Sequence, residues 1–372
     1  MRNGRSLRMK GVMARFGLRA LVLTALLGLA AAPALAGSEG RKGTAGAMEL
    51  RIPVGTRGTA LGGAVACDIS GVESMFWNPA GLANITGTEV LFSHQSYFAD
   101  MKLNYAGIAS KVGGFGVLGL SVKVLSIGDI FVTTEQSPDG TGEVLTPTFS
   151  VMGASWGRQF TDRVNFGGSV NFVSENVANN SASGVAMDLG FQYVTDWHGF
   201  RLGMVMKNYG TSMSYSGPGF EVSVADPNQD PNAGVHKLSY SSTKFEMPSY
   251  MTLSSCYNLM QSSKSKLVAL AAFQNNNFTG DNLRGGLEWT YRDMLALRGS
   301  YFGSFNGTID QTTGEESFKF GGGDDLYEGY AFGAGIATHV GGASRLGVDF
   351  AYRPVKSGRF DDTYELGVNL KF

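Results

Sequence analysis

The sequence predicts an all-β fold: a fourteen-stranded antiparallel transmembrane β-barrel with a short, partly helical N-terminal plug. Three observations predict it. First, residues 364–372 alternate strictly. Tyr364, Leu366, Val368, Leu370 and Phe372 share one face, and Glu365, Gly367, Asn369 and Lys371 share the other. Strand side chains switch sides at every residue, so this pattern suits a wall with lipid outside and water inside. Second, strand-like segments of about ten residues recur, longer than the roughly 5–6 residues of soluble sheets, and their links sort by length. Third, Gly supplies 53 of 372 residues, about twice its usual share, while charged residues fall to 16%. Glycine weakens strands, but it also permits close backbone approach.

Residues 1–36 read as a signal peptide. Arg2, Arg5, Arg8, Lys10, Arg15 and Arg19 give a basic start, 21–32 an apolar core, and Ala34-Leu35-Ala36 a small-x-small cleavage site. The apolar run is too short to span a bilayer as a helix; a retained anchor is the alternative. No cysteine follows the site, so no lipoprotein signal is read. Cleavage removes six basic and no acidic residues, leaving 24 of the 30 basic residues against 31 acidic ones, a net charge of −7. That balance argues against nucleic acid as a partner, which calls for a basic patch.

Residues 37–87 do not read as strands and have the size of a plug for a lumen. Small residues over 57–66 allow a short helix. Asn78-Pro79-Ala80-Gly81 forms a turn, since Pro fixes φ and Gly widens the choice of it. The barrel, 88–372, follows as fourteen segments: 88–99, 101–112, 115–127, 146–160, 164–177, 183–195, 200–209, 249–260, 266–276, 282–292, 295–303, 330–340, 345–354 and 363–372. Most reach the roughly 9–11 residues that a tilted membrane strand needs. The long links, 128–145, 210–248 and 304–329, all follow odd-numbered strands and so fall on one side, as outer loops do opposite short periplasmic turns.

Facing agrees with this register. Leu283, Leu287, Trp289 and Tyr291 oppose Arg284, Glu288 and Arg292. Leu346, Val348, Phe350 and Tyr352 oppose Asp349 and Arg353. Val185, Met187, Leu189, Phe191 and Tyr193 oppose Asp188 and Gln192. A slip of one residue would turn these charges into lipid, at roughly 2–4 kcal/mol for each Arg near the midplane. Segments 146–160 and 266–276 alternate poorly. Arg284, Glu288, Arg292, Asp349, Arg353, Glu365 and Lys371 are therefore expected to face the lumen, pairing to hold wall and plug, or else lining a polar conduit.

No constellation calls for catalysis, a metal or a cofactor. His94, His198, His236 and His339 lack metal-ligand spacing, and no G-x-S-x-G elbow occurs. Gly321-Gly322-Gly323-Asp324-Asp325 lacks the strand-to-helix context and Lys of a phosphate cradle. Asp226, Asn228, Asp230 and Asn232 alternate as calcium ligands can, but without the Gly and distant Glu of an EF-hand loop. Cys67 falls in the plug, and alternation turns Cys256 inward. An oxidising compartment permits a disulfide between them, which would fasten plug to wall; two free thiols are the alternative.

Two resemblances follow. The aromatic C-terminus of the last strand resembles the signal by which the barrel-assembly machinery recognises bacterial outer-membrane barrels. Leu50-x-Ile52-Pro53-Val54-Gly55-x-Arg57, then Leu61-Gly62-Gly63-Ala64, then Trp77-Asn78-Pro79-Ala80-Gly81-Leu82 resemble the head of the PorV/PorQ family, within the FadL-like group of fourteen-stranded barrels. Asn-Pro-Ala is shared with FadL-type transporters; Gly-x-Arg and the preceding Trp lean toward PorV/PorQ. Where family members often carry an acidic pair, this chain has Cys67-Asp68-Ile69, so the role of that pair does not carry over. The resemblance implies a non-enzymatic barrel in bacterial outer-membrane lipid, serving type IX-like protein secretion with secreted cargo and a translocon as partners. The alternative is a FadL-like channel for hydrophobic small molecules, which predicts an apolar lumen pocket.

Overall fold

The computed structural model describes residues 41–197, 199–224, 236–309, 316–321, 327–342, 344–356 and 360–372. The leader, His198 and the alternating Asp/Asn run of 226–232 lie outside them. Fourteen strands form the ring: β1 (Thr88–Ser96), β2 (Lys102–Val112), β3 (Gly116–Ser126), β4 (Thr148–Thr161), β5 (Val164–Val177), β6 (Asn180–Val194), β7 (Arg201–Gly210), β8 (Tyr250–Gln261), β9 (Ser265–Asn276), β10 (Asn282–Tyr291), β11 (Leu295–Ile309), β12 (Gly329–His339), β13 (Arg345–Arg353) and β14 (Thr363–Lys371). Each pairs antiparallel with its neighbours, and β14 returns to β1 with Leu366 opposite His94, closing the sheet. Closure leaves no edge strand unpaired, which hydrocarbon would punish.

The outer face is apolar. Phe92, Leu120, Met187, Leu287, Ile336 and Leu366 are exposed on it, Leu120 to 63%. Asp188, Gln192 and Glu288, on the opposite face, are buried. Rings gather near the ends of the strands: Phe115, Trp156, Phe160 and Phe166 at the short-turn end, and Tyr301, Tyr330 and Phe332 at the other. Such rings suit the two edges of a bilayer.

The long links add short strands of their own. Ile130–Phe131 pairs with Val144–Leu145, Glu221–Val224 with His236–Ser239, and Glu316–Phe320 folds back on the end of β11. That last pairing carries β11 six residues past the expected end at 303. One expected lumen residue is corrected here. Strand β10 ends at Tyr291, and Arg292 enters the turn with φ 51, exposed, its guanidinium over the Tyr291 ring.

The expected helix over 57–66 is also shorter. Helix α1 covers Thr56–Ala60, and turns replace it beyond Leu61 because Gly62 and Gly63 adopt positive φ. Helix α2 (Ser74–Trp77) and a 3-10 turn at Pro79–Asn84 complete the segment, which a 3-10 turn at Met48–Arg51 opens. It packs inside the ring. One apolar cluster joins its Ile52, Val54, Leu82 and Ile85 to Leu91, Leu103 and Val117 of the wall; another joins Leu61, Val65 and Ile69 to Val268, Leu270 and Ala272. The barrel thus has a hydrophobic core within its lumen.

Candidate functional site

The plug is seated through its main chain. Asn78, fully buried, caps the 3-10 turn by accepting from Ala80 N at 3.1 Å, while its Nδ2 donates to Ala66 O at 2.7 Å and to Phe191 O of the wall at 3.1 Å. Pro79 starts that turn, where its missing N–H is no loss. Ala80 and Gly81 are buried behind it. The wall meets this stretch with Gly167 on β5 and Gly190 on β6, register partners. A Cβ on Gly190 would strike Asn78, and one on Gly167 would strike the Pro79 carbonyl. Gly157 and Gly203 make similar approaches to Pro79 and Ala66. Part of the glycine excess is therefore a cradle for another backbone. Gln192 adds two bonds, from Nε2 to Ala66 O and Ile69 O.

Opposite this cradle, ions hold the plug. Arg57 reaches Glu288 of β10 through Nε (2.9 Å) and Nη2 (2.6 Å), and Asp68 at 3.0 Å. Arg298 of β11 shares Glu288 at 2.8 Å and pairs with Asp349 at 2.5 Å. Arg201 of β7 pairs with Asp68. Gly55, at φ 87, turns its N–H to Glu365 at 2.7 Å. Trp77 donates from Nε1 to Val54 O at 2.9 Å, and Arg284 donates to Gly62 O at 3.1 Å. Gly63, at φ 80, lies where a Cβ would meet both Arg284 and the Trp77 ring. Glu73 accepts from Gly58 N at 2.6 Å; burial pushes its carboxyl up to about 7, against the pull of that N–H and of Arg57. Cys67 and Cys256 form a disulfide, their Cα atoms 6.0 Å apart, tying the plug to β8.

The structure thus draws Arg284, Glu288 and Glu365 into the plug contact, and joins Asp349 to Glu288 through Arg298 of the wall. Arg353 lies elsewhere, with its guanidinium 4.4 Å from the Tyr327 ring. Lys371 pairs with Glu89 at 2.9 Å, between the two strands that close the ring. Sequence reasoning missed Arg298, Arg201 and Asp68. Alternation on β11 carried the signal for Arg298, which lies between the outward Leu297 and its successors. Lys123 and Lys207 were missed as well. Lys123 donates to Glu49 O and Ile52 O at 2.6 Å each, Lys207 donates to Phe76 O, and their ammonium groups lie 4.8 and 3.7 Å from the Phe76 ring. His94 is occupied structurally, its Nδ1 2.8 Å from Asn104 Oδ1.

Above the plug, toward the long loops, lies a cavity of about 940 Å³. Tyr97, Phe149, Tyr250 and Phe302 line its wall, Phe245 and Tyr327 come from the loops, and Phe76 and Trp77 lie at its plug side. Its size is within the range of small-molecule sites, whose linings are mostly apolar with a few placed polar groups. Here those groups include Glu49 and Glu175.

No protein-family model matches this chain, and no curated protein matches it. Solved structures do. A protein described as the CymD monoaromatic hydrocarbon channel aligns at TM-score 0.52 and 11% identity, over 86% of this chain and 97% of that one. A TodX deltaS2S3 mutant, also described as a monoaromatic hydrocarbon channel, aligns at 0.51 and 13%, over 85% and 97%. A FadL homologue of Pseudomonas aeruginosa aligns at 0.49 and 12%, over 85% and 97%. The chain shares its fold with the first two of these, here fourteen antiparallel strands closed around an N-terminal segment. At these identities the likeness establishes the fold and nothing narrower.

Proposed function

We propose that this chain is a non-enzymatic outer-membrane channel that takes up hydrophobic small molecules. The observation that carries the reading is the aromatic cavity: roomy, bordered by loop residues Phe245 and Tyr327, and floored by the plug. The apolar outer face is its lipid contact, and the long loops stand outside the cell. The two similar structures named as monoaromatic hydrocarbon channels support a cargo of this class. The test is uptake of radiolabelled toluene by cells with and without the chain, beside the purified protein's binding of the same probe. Faster uptake and saturable binding are expected. Equal uptake with no binding would remove the reading.

A second reading keeps a specific observation. The plug is fastened by a disulfide and an ion network, as suits a closed barrel that docks cargo rather than conducts it. This is the secretion role implied by the PorV/PorQ-like head, with exported proteins and a translocon as partners. It rests on residues 50–82 alone. A deletion strain that releases an unchanged set of proteins into the medium would end it.

A further inference from the structure

The cavity has an acidic pole. Glu49, on the 3-10 turn Met48–Arg51, and Glu175, on β5, both line it, and they are only 2% and 4% exposed. Among the described residues, neither carboxylate oxygen of Glu49 meets a hydrogen-bond donor. Lys123 on β3 is spent on the main-chain carbonyls of Glu49 and Ile52. Tyr215, from the loop after β7, donates its hydroxyl to Glu175. Rings border the same cavity: Phe76, Phe149, Tyr250, and Phe245, which packs on Tyr215 at 5.8 Å.

Two buried carboxyls side by side cannot both stay charged without a cation. Burial, and then the neighbouring Glu175, push Glu49 up to about 8, so near neutrality Glu49 holds its proton. An ammonium group can take that proton's place. It would satisfy the buried, unpartnered oxygens of Glu49 and rest against ring faces, which attract cations.

The approach has the same sign. The long links 128–145, 210–248 and 304–329 carry four, four and six acidic residues against none, two and one basic. A mouth of one sign concentrates ligands of the other. Basic side chains also border the cavity, but on other contacts. Arg284 on β10 and Arg353 on β13 lie across the ring, on Gly62 and Phe302 and on the Tyr327 ring, respectively. Arg51 donates to Thr279, and Lys42 is exposed.

We propose that the ligand of this cavity is a lipophilic cation, an alkyl or aryl ammonium, seated with its charge on Glu49 and Glu175. This rests on the channel reading and narrows it to a substrate class. The test is calorimetry on the purified full chain in detergent with three probes of one shape: 4-phenylbutylammonium, 4-phenylbutanol and 4-phenylbutanoate. The ammonium should bind about tenfold tighter than the alcohol, as a charge-assisted contact does, and the carboxylate should bind weakest. The preference should grow between about pH 6.5 and about pH 8.5, as Glu49 loses its proton. Ammonium binding should release protons, read as a buffer-dependent heat, which needs no variant. Glu49→Gln and Glu175→Gln should erase the preference while the alcohol still binds, with folding checked by heat-modifiable migration in gels. Equal binding of the three probes, tightest binding of the carboxylate, or ammonium binding without proton release would overturn the inference and leave the channel reading standing. Binding of none would remove both.

Discussion

In the half of the lumen nearest the short turns, backbone meets backbone; in the half nearest the long loops, aromatic rings face open space. The lower half is closed by Asn78, Pro79 and Ala80 against Gly167, Gly190 and Gly203, by Arg57 between Glu288 and Asp68, and by the Cys67–Cys256 bridge. The upper half surrounds a cavity of about 940 Å³ bordered largely by rings. The difference teaches where each kind of change should register. Below, a substitution disturbs groups with no room to relax and so affects stability. Above, it alters what the cavity holds.

The comparison breaks most directly at Arg57. Arg57→Ala leaves Glu288 and Asp68 buried with one arginine each, and breaking a buried pair costs about 3–5 kcal/mol. A matching fall in the denaturation midpoint of the detergent-solubilised barrel is expected; a loss under about 1 kcal/mol would show that Arg298 and Arg201 suffice. Next, Cys67→Ser with Cys256→Ser should lower stability by roughly 2–4 kcal/mol, with wild type falling to the same midpoint under reductant. Gly190→Val should cost about 1–3 kcal/mol by overpacking. Its control is Gly285→Ala on β10, where a Cβ meets nothing within 4 Å and the midpoint should hardly move.

A pH scan sharpens the same contrast. Glu73 is held protonated up to about 7 in the folded plug, above its unfolded value. The folded state therefore binds more protons than the unfolded one between roughly pH 4.5 and 7, and stability falls as pH rises through that window. Glu73→Gln should make the slope shallower, leaving the share that Glu49 carries; an unchanged slope would assign it wholly to Glu49 or another group. The smallest effect on stability belongs to the upper half. Phe98→Ala and Phe149→Ala, both half-buried at the cavity, should shift the midpoint by about 1 kcal/mol or less. They should nonetheless weaken binding of a hydrophobic probe about tenfold, by isothermal titration.

Legibility in the sequence followed what each strand faced. On β6, β13 and β14 the outer side chains meet lipid and the inner ones are polar, so simple alternation reads the register. On β4 the inner residues are Val151, Gly153, Ser155 and Gly157, small because the plug lies near, and the outer face includes Ala154. The contrast of apolar against charged is lost there. On β9 the inner residues Val268, Leu270 and Ala272 are apolar because they pack on Leu61, Val65 and Ile69. An expectation of a watery lumen cannot read such a face. Arg292 misled for a local reason: alternation runs on through a turn until the backbone enters positive φ.

The sequence by itself determined the barrel, its strand number, the sorting of the long loops to one side and the inward facing of Glu288, Asp349 and Glu365. Period-two patterning and link length are local properties, and a membrane wall imposes them on every strand. Only the tertiary structure decided which charges meet, that glycines of β5, β6 and β7 cradle residues 66–80, and that Glu49 and Glu175 face one cavity. Many of those pairings, Arg57–Glu288, Gly190–Asn78 and Glu49–Glu175 among them, join residues more than a hundred positions apart, and their geometry exists only once the ring has closed around the plug.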